Sequence, residues 1–90
     1  MSQKEAYRIG RSTGADIMRS NYGDFAMNGV GKDDAVDQVC ETEADHYRQF
    51  SPFEFTAKEF NDSRNPDGVW EAYERGVRVG ARKAWDVITA

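Results

Sequence analysis

Apolar positions recur along this chain at helical spacing, and one pattern occurs twice. At about 100° per residue, Ala6, Tyr7, Gly10, Gly14, Ile17 and Met18 share one face of a first helix, predicted over residues 3–19. Ser2 and Glu5 stand at capping-box spacing and mark its start. In a last helix, running to about Ile88, the broad apolar face holds Val69, Trp70, Tyr73, Gly76, Val77, Gly80, Ala81, Ala84, Val87 and Ile88. Both stripes contain Tyr-x-x-Gly-x-x-x-Gly-Ala, as YRIGRSTGA from Tyr7 and as YERGVRVGA from Tyr73.

Each interior glycine costs a helix about 1 kcal/mol against alanine, so these four oppose helix formation by roughly 4 kcal/mol. Something must offset that cost. A missing side chain leaves a notch in which another backbone or a ring can sit. Ala72, Gly76, Gly80 and Ala84 form a small-residue row at four-residue steps, the kind of row found at close helix crossings. The first and last helices are therefore expected to pack tightly together, with Tyr7 and Tyr73 as ring plugs. So short a repeat arises by chance as well as by duplication, and close packing needs no duplication. The same row would also serve as the contact face of a homodimer.

Between these helices the pattern is less even. Residues 21–32 (NYGDFAMNGVGK) hold three Gly and two Asn and read as a loop, with room for a turn of helix or a short strand around Phe25. As an exposed binding element, this loop would offer Tyr22, Phe25 and Met27 as apolar anchors. A second helix, capped by Asp33 or Asp34, runs to about Arg48. In FSPFEF, Ser51 suits an N-cap, Pro52 the first helical position and Glu54 a capping box, with Phe50 and Phe55 as a hydrophobic staple. That third helix is short and ends near Asn61 or Asp62. Ser63 or Asn65 then caps the last helix, with Pro66 in its first turn. No segment shows the alternation of a half-buried strand. The expected fold is all-α, a compact four-helix domain of three longer helices and one short one, spanning residues 1–90 as a single domain.

Composition agrees with a folded domain. With 39% apolar and 31% charged residues and eleven aromatic rings among 90 residues, the chain is unlike a disordered one. The first ten residues lack the apolar core of a signal peptide, and no run approaches the roughly 18 apolar residues of a membrane span. Cys40 is the single cysteine, which excludes an internal disulfide. These features lead to the expectation of a cytoplasmic protein that does not enter a membrane. The net charge of −4 opposes bulk affinity for nucleic acid, although a local basic face could still supply it.

The charges are not evenly spread. Asp34, Asp37, Glu41 and Asp45 line one face of the second helix, opposite Val36, Val39, Cys40 and Tyr47. This face is either solvated or a docking surface for a basic protein partner. Lys4, Arg8 and Arg11 line the first helix, with Arg19 close to the same line, and Arg75, Arg78 and Arg82 line the last. The latter stripe either pairs with acids such as Glu71 and Glu74 or binds phosphate. Glu43 falls within the apolar face of the second helix and needs a partner there. An arginine or a tyrosine hydroxyl from the first or last helix would serve, with Arg11 a reasonable choice.

No catalytic or cofactor signature emerges. Glu43 and His46 spell Glu-x-x-His, but a di-iron bundle needs that motif twice and this chain has one histidine. A mononuclear site of Cys40, Glu43 and His46 is conceivable, yet His46 serves more simply as a hydrogen bonder at the helix edge. GVGK at residues 29–32 lacks both the leading glycine and the hydroxyl residue of a phosphate loop, and Asp33 would repel a phosphate. The expectation is a non-enzymatic chain with neither cofactor nor metal.

HYRQFSPFEFTAKEFND, followed by VWEAYERGVRVGARKAW, resembles the small accessory proteins of phages and other mobile elements, anti-CRISPR inhibitors among them. That resemblance implies an acidic, single-domain inhibitor that binds the protein surface of a defence nuclease. It assigns no individual residue. The sequence thus favours a protein-binding module, with a nucleic-acid-associated regulator or a homo-oligomeric structural protein as alternatives.

Overall fold

The computed structural model describes residues 2–49 and 68–90, without the side chains of residues 44–49 and of Trp70. Among the described residues the chain is all-α, with helices α1 (Gln3–Met27), α2 (Lys32–Gln49) and α3 (Val69–Ile88). The short helix expected from Ser51 lies outside them, so the described residues support three helices and not the count of four.

The start of α1 follows its cap: Ser2 Oγ accepts a hydrogen bond from the Glu5 backbone N–H at 3.1 Å. Its end corrects the sequence reading. Residues 21–27 are helix, where a loop is predicted from residue 21. The breakers there are held in place. Asn21 donates its side-chain amide to the Ile17 carbonyl at 2.8 Å, the Tyr22 ring meets Trp85 edge-on with centroids 5.0 Å apart, and Phe25 packs against the core. The helix stops only at Asn28-Gly29. Gly29 has φ of 69°, its N–H bonds to the Ala26 carbonyl, and the Val30 N–H bonds to the Phe25 carbonyl at 2.9 Å. This is a Schellman motif, closed by glycine because the left-handed position costs it nothing. Phe25 and Val30, both half-buried against the core, supply the apolar contact that accompanies such a motif.

The starts of α2 and α3 also shift. The Ala35 N–H donates to the Gly31 carbonyl at 2.9 Å, so α2 begins at Lys32. Asp33 and Asp34 lie in its first turn, where the helix dipole favours them, and not at the cap. Gly68 occupies the N-cap position of α3 with φ of 67° and no side-chain cap. Ser63 and Asn65 precede that start and lie outside the described residues.

The helices α1 and α3 make the most extensive contact, and they run parallel. Gln3 lies beside Gly68, Gly10 beside Gly76, and Tyr22 beside Trp85. At the centre, backbone meets backbone. A Cβ on Gly10 would strike the Tyr73 carbonyl and lie 3.1 Å from Gly76 Cα; one on Gly76 would strike the Tyr7 carbonyl and lie 3.0 Å from Gly10 Cα. One turn further on, Gly14 seats against Val77 as Gly80 seats against Arg11. Each of the four glycine contacts has its counterpart, so the two copies of the repeat pair in register about a local two-fold axis along the helices. All four glycines are buried. The small-residue row is therefore filled within the chain, and a homodimer would have to use another surface.

Antiparallel to α3, α2 lies against it through Ala35, Val36 and Val39, which are buried with Tyr73, Val77, Ala81 and Met18 in one core. Its register is marked by Lys32–Asp86 at 2.7 Å, Asp33–Arg82 at 3.8 Å and Asp37–Arg78 at 2.8 Å. These exposed pairs are worth about 0–1 kcal/mol each and add orientation more than stability.

Two glycine substitutions separate propensity from packing. Gly23 is helical and exposed, with nothing in reach of an added Cβ. Gly23→Ala is expected to stabilise the protein by about 0.5–1 kcal/mol in urea unfolding. Gly76→Ala gains the same propensity but forces the helices apart, with a net loss of about 1–3 kcal/mol expected. Equal effects at both positions would contradict the close approach.

Candidate functional site

A groove of about 540 Å³ opens between α2 and α3. From α2 it takes Asp37, Cys40, Glu41 and Glu43, and from α3 Glu71, Glu74, Arg75, Val77 and Arg78. On each helix these residues recur at three- and four-residue steps and so share one face. Among the described residues, five carboxylates stand against two guanidinium groups, which makes this lining acidic.

Its base is apolar and neutral. Val77 is buried and Cys40 half-buried. Burial pushes the Cys40 thiol up, against the lowering influence of Arg78, with the Asp37 and Glu74 charges adding to the rise. The thiol therefore stays protonated at neutral pH and is a weak nucleophile. At the inner end, Tyr73 donates its hydroxyl to Glu43 Oε1 at 3.0 Å. Glu43 is 8% exposed and Tyr73 fully buried. Burial holds the Tyr73 phenol far above its usual range; a Thr13 hydrogen bond works the other way, and the Glu43 charge and its hydrogen bond add to the rise. A tyrosine from the last helix thus meets Glu43, as the apolar setting of that carboxylate requires. Arg11 does not: it is exposed, with its guanidinium 5.9 Å from the centroid of the Tyr7 ring.

The sequence-predicted site residues divide. Asp34 is exposed in the first turn of α2, and Asp37 and Glu41 reach the groove. The side chain of Asp45 lies outside the described residues. Tyr22 and Phe25 are half-buried, turned toward Trp85 and the core, while Met27 is 86% exposed. Arg75 lines the groove, Arg78 pairs with Asp37 and Arg82 with Asp33. Two surfaces that look separate in sequence, an acidic face and a basic stripe, are opposite walls of one seam. Glu71 and Glu74 are the additions. Their phase beside Arg75 and Arg78 is readable, but only the packing of α2 against that face turns them into groove walls.

The side chain of His46 lies outside the described residues, and among those described no group of three or more His, Cys, Asp or Glu side chains is placed to hold a metal ion. No described helix is long and apolar enough to cross a membrane. No family model matches the chain, and neither curated proteins nor solved structures give a match.

The buried phenol has a testable consequence at alkaline pH. Because its folded pKa lies above the unfolded value of 10.0, Tyr73 contributes nothing to pH dependence below that value; above it, ionisation in the unfolded chain draws stability away. One of the four tyrosines is expected to ionise only on unfolding, as read by phenolate absorbance. Tyr73→Phe should remove that laggard, flatten the alkaline decline and cost about 1–3 kcal/mol at neutral pH, since Glu43 loses its partner. Four tyrosines titrating together in the folded protein would contradict the buried pair.

Proposed function

We propose that this chain is a non-enzymatic protein-binding module whose groove between α2 and α3 receives basic side chains of a partner. The observation that carries this reading is the lining itself. Glu41 and Glu74 project from opposite walls, exposed and with no ion pair among the described residues, over a base of Cys40 and Val77. An arginine or lysine entering the groove would place its aliphatic stem on that base and its charge between the two carboxylates. The surrounding acids, with Asp34 further along α2, would steer such a partner in.

The phosphate-binding alternative draws less from this arrangement. Arg78 and Arg82 are engaged by Asp37 and Asp33, and Arg75 opens into a groove of opposite charge. A phosphate would have to displace carboxylates to reach them. A narrower proposal follows from the resemblance to phage accessory proteins: the basic partner would be a nucleic-acid-handling defence protein, held inactive while bound.

The test uses affinity capture from the native host, with wild-type protein and the Glu41→Lys/Glu74→Lys double variant as bait. Wild-type protein is expected to retain a basic protein that elutes with rising salt, and the double variant to retain at least about tenfold less. Melting curves of the two baits control for folding. Equal capture by both would refute the groove as the contact.

A further inference from the structure

A second groove, of about 420 Å³, runs between α1 and α3 on the side of α3 turned away from α2. Its chemistry is the reverse of the first. It is lined by the cations Arg8, Arg11 and Arg19 from α1 and Lys83 from α3, with Ser12, Ala15, Gly80, Ala84 and Val87 among them; Gly80 and Ala84 are buried, Ala15 is half-buried, and Ser12 and Val87 are exposed. Among the described residues no carboxylate lines it. Arg19 is paired at 2.9 Å with Asp16 of its own helix, and Arg11 lies over Tyr7. Arg8 and Lys83 have no ion pair among the described residues. A chain of net charge −4 therefore gathers four cations along one open channel.

We propose that this channel is a docking site for an acidic amphipathic helix of a partner protein. Three observations favour that occupant. Charge complementarity demands an anionic ligand. Half-buried Ala15 and exposed Val87 give the channel aliphatic surface that accepts the apolar stripe of a helix, and Arg8, Arg11, Arg19 and Lys83 then meet acids flanking that stripe. Among the described residues no aromatic side chain lines the channel, so these residues offer no stacking platform of the kind on which single-stranded nucleic acid relies. Two nested parallel helices leave a seam on each side; α2 covers one and the cationic channel is the other. This site does not depend on the acidic groove, because the two lie on opposite faces of α3.

The channel is tested by fluorescence anisotropy at low salt with three labelled probes: a synthetic helix with Leu and Ala on one face flanked by Glu, the same helix with Lys for Glu, and an oligothymidylate. The Glu helix is expected to bind, at least about tenfold tighter than the Lys helix, with affinity falling as salt rises. Arg8→Glu/Lys83→Glu should abolish that preference. Ser12→Trp, which adds bulk to the channel without removing a charge, should weaken binding of the Glu helix by a similar factor, with far-UV circular dichroism confirming an intact fold. Failure of the Glu helix to bind, equal binding of both helices, or an oligothymidylate that binds more tightly and is lost in Arg8→Glu/Lys83→Glu would each overturn the proposal.

Discussion

Backbone-to-backbone contact between α1 and α3 is the constraint on which the rest of the structure depends. Gly10 and Gly76 face each other so closely that neither position has room for a methyl group, and one turn later Gly14 is seated as closely on the Val77 backbone and Gly80 on the Arg11 backbone. Two parallel helices of one chain thereby form the kind of symmetric crossing that small-residue rows also make between separate chains. The approach fixes the register. It buries Tyr73 and Val77 beneath α2 and places Tyr22 against Trp85 at the far end. A rough loss of 4 kcal/mol in helix propensity is offset by dispersion contacts and apolar burial along the whole interface.

Both grooves follow from that pair. Because α1 and α3 are parallel and close, they leave one shallow seam on each side. The first is covered by α2, and the rim of that packing holds Asp37, Glu41 and Glu74 over Cys40. The second has no helix over it among the described residues and collects Arg8, Arg11, Arg19 and Lys83. The two grooves thus lie on opposite faces of α3, with the carboxylates of the described lining all in the first, where Arg75 and Arg78 also stand. The polar link between the tiers is the Tyr73–Glu43 hydrogen bond, in which the same residue that opens the second copy of the repeat reaches α2 through its hydroxyl.

Much of this was legible in the residues. Helical periodicity identified the α1 and α3 faces, and the glycines within those faces pointed to close packing. The burial of Glu43 followed from its phase, and with it the need for a donor such as a tyrosine. Other features escaped local reading. Gly23 and Asn21 look like breakers, yet α1 continues through them because Tyr22 and Phe25 find tertiary partners in Trp85 and the core. Its true end is the Asn28-Gly29 step, whose glycine sits where a left-handed residue is required. The direction of α3 relative to α1 was not readable at all, since a glycine row permits either sense. For the same reason the acidic face and the arginine stripe looked like rival sites; only an antiparallel α2 brings Asp33 to Arg82 and Asp37 to Arg78. The reading of the 51–62 segment as a short helix concerns residues outside those described.

The most direct test of the nested pair is an interproton NOE experiment on isotope-labelled protein. Strong cross-peaks are expected between the Hα protons of Gly10 and Gly76, and between Gly14 and Val77, together with contacts from Tyr22 to the Trp85 ring. Cross-peaks joining the start of one helix to the end of the other, such as Gln3 to Ile88, or the absence of any Gly10–Gly76 contact in a folded sample, would contradict the account.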